Sequence, residues 1–139
     1  MQSFTLDIKS LEEDFFRDCA LIGISSTVTG TRLCWSLNEI LGIDLIRKEQ
    51  DAFCEDHCYP IYEHVFPLTD CRLYVFQNHC KGNILVPELH SFNYIIMLSG
   101  EMLDWSAAEI EHILLKIPFI QTAQFIDLEE IDDKSGLIL

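Results

Sequence analysis

Five side chains with an affinity for soft metal ions fall in two short runs of this chain, Cys54-Glu-Asp-His57-Cys58 and His79-Cys80. Zinc takes thiolate and imidazole in a tetrahedron and needs four ligands that converge. Cys58–Phe66 and Cys71–Asn78 both read as strands, and Pro67-Leu-Thr-Asp70 between them reads as a turn. If the hairpin turns between Leu68 and Thr69, the numbers of facing residues sum to about 137. His57 then faces Cys80, Cys58 faces His79, and Cys54 lies just beyond, so all five gather at the open end.

The pattern stops short of a metal motif. No Cys-x-x-Cys pair is present, and strand neighbours such as His57 and Cys58 point to opposite faces. The expectation is therefore of incidental Cys and His, no cofactor and no favoured metal site. Zinc held by Cys54, His57, Cys58, His79 and Cys80 is the alternative.

Other chemistry has less to stand on. The six glycines are scattered and none forms the Gly-x-Gly of a phosphate loop, nor does a Gly-x-Ser-x-Gly nucleophile turn occur. The acidic runs Glu12-Glu-Asp14 and Asp127 to Asp133 read as solvated faces. Cys-His pairs can be composed in any chain with six Cys and five His.

Charge narrows the partners. Nine Lys and Arg stand against 23 Asp and Glu, for a formal net charge of -14. Phosphate backbones are bound by cationic side chains that release counterions, so nucleic acid and anionic membrane surfaces are not expected partners. The longest nearly apolar stretch, Phe92–Leu98, falls well below the ~20 residues of a membrane-spanning helix. The N-terminus, Met-Gln-Ser-Phe-Thr-Leu-Asp, has no basic region followed by an apolar one, which predicts no secretory signal and a cytoplasmic location. In that setting the six cysteines are expected to be free thiols, with Cys19, Cys34 and Cys71 acting as small core residues.

A chain of 139 residues with 49% hydrophobic content is expected to fold as a single domain over residues 1–139. Thr5–Ile8 alternates weakly as a first strand, and Ser10-Leu-Glu-Glu13 is a capping box for a short helix over Leu11–Cys19. Ala20–Ile24 is short and apolar, a buried strand or turn. Leu33, Leu37, Ile40 and Leu41 share one helical face, with Thr29 or Thr31 to cap its start and Gly42 to end it. Phe92–Leu98 reads as a largely buried strand. Ser106-Ala-Ala-Glu109 opens a second helix, with Trp105 stapled on Ile110 and a stripe of Ile110, Ile113, Leu114 and Ile117. Pro118 stops it, and Phe119–Leu128 makes a last strand. The sum is an α+β fold, a mostly antiparallel sheet with two or three helices on one face.

Val86-Pro87-Glu88-Leu89-His90-Ser91-Phe92-Asn93-Tyr94 resembles the motif of the IPExxxVDY family of small bacterial proteins, matching its Pro, Glu and Tyr. Leu21-Ile-Gly-Ile24, Leu33-Cys-Trp-Ser-Leu-Asn38 and Lys134-Ser-Gly-Leu-Ile-Leu139 are similar to family segments in the same order. The resemblance implies a cytoplasmic bacterial protein sharing that fold and names no activity. Asn93 stands where the motif has Asp, so the role is not expected to need a charge there. Pro87, Glu88 and Tyr94 are read as structural, Glu88 accepting backbone N–H bonds in its loop. Tyr94 and Trp35 are read as core aromatics with a polar tip.

The function that follows is a non-enzymatic binding or protein-interaction domain whose partner is an unidentified protein or a second copy. A zinc-binding protein is the first alternative. An enzyme acting on a small ligand with a site spread over separate strands is the second.

Overall fold

A strand shows alternate residues to opposite faces of its sheet, so the unbroken burial of Tyr94 to Leu98 requires cover on both sides. The computed structural model, which describes residues 16–100 and 107–138, supplies that cover. Its strands are β1 (Cys19–Ser25), β2 (Ile46–Arg47), β3 (Ala52–Cys54), β4 (His57–Tyr59), β5 (Ile61–Val65), β6 (Arg72–Gln77), β7 (His79–Cys80), β8 (Asn83–Ile84), β9 (Tyr94–Ser99) and β10 (Thr122–Ile126). The helices α1 (Gly30–Leu41) and α2 (Ala107–Leu114) complete the described elements, apart from short 3₁₀ turns. The main sheet runs β10-β1-β9-β6-β5-β2, and every pair in it is antiparallel.

The two helices lie on one face, as expected. Leu33, Cys34 and Leu37 of α1 and Ile110 and Leu114 of α2 pack into one core with Ile22, Ile24, Leu73, Val75, Ile96 and Leu98 of the sheet. The opposite face carries Leu21, Tyr74, Phe76, Ile95 and Met97, covered by Tyr59 of β4 and by Leu85, Val86, Leu89, Ile131 and Leu137 from loops and the C-terminal segment. Each fully buried aliphatic side chain contributes about 1.5–3 kcal/mol relative to exposure. Two such layers explain why the central strands read as continuous apolar runs.

Helix α1 begins and ends on the residues chosen from sequence. The Thr29 side chain accepts the Arg32 N–H at 3.3 Å. Gly42 takes the left-handed conformation at φ 65° and sends its N–H to the Asn38 carbonyl. The expected apolar face needs one change. Ile40 is exposed, while Cys34 is buried beside Leu33 and Leu37, because at about 100° per residue position 40 falls at the margin of the stripe.

Trp35 corrects the sequence reading more sharply. It is 63% exposed, not a core aromatic. Position 35 lies about 140° around the helix from the centre of the buried face, so the indole points into solvent.

Helix α2 buries Ile110 and Leu114, and the turn after it buries Ile117, while Ile113 is half-buried. Its capping box at Ser106, the Trp105 staple and the expected strand Thr5–Ile8 lie outside the described residues. So does most of the helix expected over Leu11–Cys19, and Cys19 already belongs to β1. No helix among the described residues is long and apolar enough to cross a membrane.

The β5–β6 hairpin has the predicted register, with Ile61 opposite Phe76 and Val65 opposite Arg72. The strand expected over Cys58–Phe66 is nevertheless two strands. Pro60 has no N–H for a ladder, and β4 turns away to pair with β3 through Glu55 and Asp56, both at positive φ. A second small hairpin, β7–β8, turns through Lys81 and Gly82, again both at positive φ.

Candidate functional site

The break at Pro60 decides the fate of the Cys/His cluster. His57 faces Cys54, Cys58 faces Phe53, and His79 faces Ile84, so the pairings His57 with Cys80 and Cys58 with His79 do not form. His79 Nε2 donates to the His90 carbonyl at 2.6 Å, and His57 Nδ1 sits 3.3 Å from Asn83 Nδ2. Cys54 and Cys80 pack against the core on the face away from the helices. Among the described residues, no three of His, Cys, Asp and Glu are placed to hold one metal ion. Elemental analysis of protein purified without chelator is expected to find no stoichiometric metal. One equivalent lost on Cys58→Ser with Cys80→Ser is the contrary result.

All six cysteines are free, and burial suppresses several as nucleophiles. It pushes the Cys34 thiol up to about 12 and raises Cys19. Burial also raises Cys54, helped by the neighbouring Glu55 and Asp133. The thiolate is the reactive form. Alkylation at about pH 8 should therefore label exposed Cys58 first and leave buried Cys34 until the chain unfolds, as peptide mapping would show. Labelling of Cys34 at the same rate would contradict its burial.

The Val86–Tyr94 stretch is held by hydrogen bonds from distant segments. Pro87 opens a 3₁₀ turn over Pro87–Leu89. The Glu88 carboxylate accepts backbone N–H groups as expected, but from the C-terminal segment instead of its own loop. Asp132 donates at 3.0 Å and Asp133 at 3.2 Å. The Tyr94 ring is buried, and its hydroxyl donates to the Val28 carbonyl at 2.6 Å. Burial raises the Tyr94 phenol to about 12. Asn93 Oδ1 accepts the Ser26 N–H at 2.9 Å, a bond that an amide or a carboxylate oxygen can accept.

The hub of this region is a residue that sequence reasoning missed. Asn78 is 0% exposed. Its Nδ2 donates to the Leu89 and Phe92 carbonyls at 3.0 and 2.9 Å, and its Oδ1 accepts the Val86 N–H at 2.8 Å. Its backbone adds bonds to Asn93 and Leu85. The available signal was an amide ending an apolar strand, where burial demands partners.

A different surface has the character of a recognition site. Thr31, Trp35 and Asn38 lie along one flank of α1, facing Arg47 of β2 and Tyr62 of β5. Between them runs a groove of about 390 Å³, and from Thr31 to Asn38 the helix advances about 10 Å. Cys34 and Leu45 form apolar parts of its lining. Asn38 Oδ1 accepts the Leu45 N–H at 2.8 Å, fixing the helix against the chain that enters β2. Arg47 pairs with Asp51 at 2.6 Å. Just beyond, Ile46 and Val65 are exposed. Glu63 anchors that region. Burial pushes its carboxyl up, but the Tyr74 hydroxyl, Lys48 and Arg72 outweigh this and hold it below the usual carboxylate range.

A larger cavity of about 530 Å³ lies by β10, bordered by Phe16, Phe125 and Leu128 with Asp127, Glu129 and Asp132. Asp127 there caps its own 3₁₀ turn by accepting the Glu129 N–H. No known family, curated protein or solved structure matches the chain. The choice between these surfaces therefore rests on the side chains they carry. The α1–β2 groove joins an exposed indole to a guanidinium and hydroxyl groups, the residue types that concentrate binding energy.

Proposed function

We propose that this chain is a non-enzymatic binding domain of the bacterial cytoplasm, a member of the IPExxxVDY family, that recognises a protein partner through the groove between α1 and β2. The observation that carries the reading is Trp35, 63% exposed on the groove wall. An indole held in water costs solvation that partner burial recovers, and tryptophan is enriched among interface residues that dominate affinity. Support for a non-catalytic role comes from the raised thiols of Cys19, Cys34 and Cys54, the opposite of an activated nucleophile. The cytoplasmic setting and the family rest on the Val86–Tyr94 motif and the accompanying segments.

Trp35→Ala tests the reading. Because the side chain is exposed, the melting temperature should stay within about 2 °C. Affinity for a partner captured by the wild-type chain should fall about tenfold or more, the loss typical of an interface tryptophan. Sedimentation of the same variant covers a second copy as the partner. Unchanged affinity in Trp35→Ala would remove the groove as the recognition surface.

A further inference from the structure

We propose that the α1–β2 groove receives the carboxyl-terminal residue of a partner chain, an aromatic residue whose carboxylate lies at the first turn of α1. The inference rests on the groove being the interaction surface and names what it recognises.

Tyr62 is the first reason. It is 8% exposed and lines the groove, yet its hydroxyl makes no hydrogen bond among the described residues. The hydroxyl is not sealed from solvent either. Its oxygen lies 2.9 Å from the point where a side chain on Gly30 would begin, against the first turn of α1. Water reaches it in the free chain, and a polar group of an occupant can take that water's place.

The helix end is the second reason. The Thr29 side chain and carbonyl take the N–H groups of Arg32 and Leu33. The N–H groups of Gly30 and Thr31 have no acceptor among the described residues, and the positive end of the helix dipole favours an anion there. Arg47 supplies the matching cation. Asp51 holds one of its amino groups, and the rest of the guanidinium fork remains for a carboxylate. Trp35 offers the flat apolar wall on which an aromatic ring stacks.

An open trough suits a chain end better than a free acid. Small ligands are usually enclosed over most of their surface, whereas a ring on Trp35 would stay partly in water unless the chain attached to it covered the site. Strand β2 is the sheet edge. Lys48 donates inward to Ile61, so the antiparallel alternation turns the Arg47 N–H and C=O outward, where they can pair with an incoming main chain. The net charge of -14 favours a partner that is basic upstream of its terminus.

The probes are a hexapeptide, Lys-Gly-Lys-Gly-Lys-Phe with a free carboxylate, the same peptide amidated, and N-acetylphenylalanine. Binding is followed by amide and indole shifts in ¹H–¹⁵N spectra of the full chain. The free-acid hexapeptide should move Gly30, Thr31 and the Trp35 indole saturably. Amidation should weaken it about tenfold, the scale of a lost charge-assisted contact. Tyr62→Phe and Arg47→Gln should each weaken it about fivefold. Tyr62→Phe should leave the melting temperature unchanged, since the hydroxyl has no internal partner to lose.

Equal binding of the amidated peptide would overturn the carboxylate site, and shifts centred on β10 would move it elsewhere. N-acetylphenylalanine binding as tightly as the hexapeptide would make the occupant a free aromatic acid. Absence of saturable binding up to about 5 mM would remove the chain-terminus reading. If Trp35→Ala still abolished capture of a natural partner, the interaction surface would stand and only its ligand chemistry would fall.

Discussion

Asn78→Ala is expected to destabilise the chain by about 3 kcal/mol or more. The substitution strands the Val86 N–H and the Phe92 carbonyl, both bonded to the Asn78 amide, while the Leu89 carbonyl loses one of its two donors and keeps the Phe92 N–H. Each buried polar group left without a partner costs about 1–3 kcal/mol, less whatever water reaches it. Domains of this kind are stable by about 5–15 kcal/mol in total, so the loss is a large fraction. Urea unfolding reads it as a lower midpoint at constant slope. Asn78→Asp should cost at least as much, because it buries a carboxylate whose second oxygen faces the Leu89 and Phe92 carbonyls. A cost below about 1 kcal/mol in Asn78→Ala would mean that the amide does not organise this loop.

Tyr94→Ala is the second large effect, at about 3–5 kcal/mol for loss of a buried aromatic ring. It also strands the Val28 carbonyl, whose hydrogen bond from the hydroxyl is 2.6 Å long. Tyr94→Phe isolates that bond and should cost about 1 kcal/mol. The phenol titrates at about 12 against an ordinary 10. Its folded-state pKa is raised, so its contribution is fully present below pH 10 and is lost as pH climbs through 10 toward 12. Tyr94→Phe should therefore blunt the alkaline loss of stability over that window. If Tyr94→Ala left the melting temperature unchanged while abolishing partner binding, the stretch would be a functional surface and its structural reading would be wrong.

Local signals carried the parts of the fold that depend on local physics. Thr29 and Gly42 bound α1 because capping is decided within a few residues. The β5–β6 register followed from the position of one turn. The two small hairpins were hidden because Glu55-Asp56 and Lys81-Gly82 are not the Asn-Gly or Asp-Gly turns that usually announce one. Extending the β5–β6 register through Pro60 pairs His57 with Cys80, but beyond the proline, which has no N–H for the ladder, β4 pairs with β3 instead.

The candidate site was less legible, for a related reason. Residue type alone places Trp35 in the core, whereas the helical period that turns Leu33 and Leu37 inward turns position 35 outward. Tyr62 and Arg47 reach the groove only because β2 pairs with β5, a contact between segments with no shared motif. Glu88 found its partners 44 and 45 positions along the chain, and Asn78 its partners across a loop. Bonds of that range are set by tertiary packing and leave no spacing to read.

The most direct test of the groove as the recognition surface is photo-crosslinking from two places at once. p-Benzoylphenylalanine is placed at position 46, just beyond the α1–β2 groove, and in a separate sample at position 125, beside the larger cavity at β10. Both positions are exposed, so neither label should disturb the core. A covalent partner adduct is expected from position 46, suppressed by an excess of the free-acid hexapeptide, and none from position 125. An adduct from position 125 alone would contradict this and move recognition to the opposite edge of the sheet.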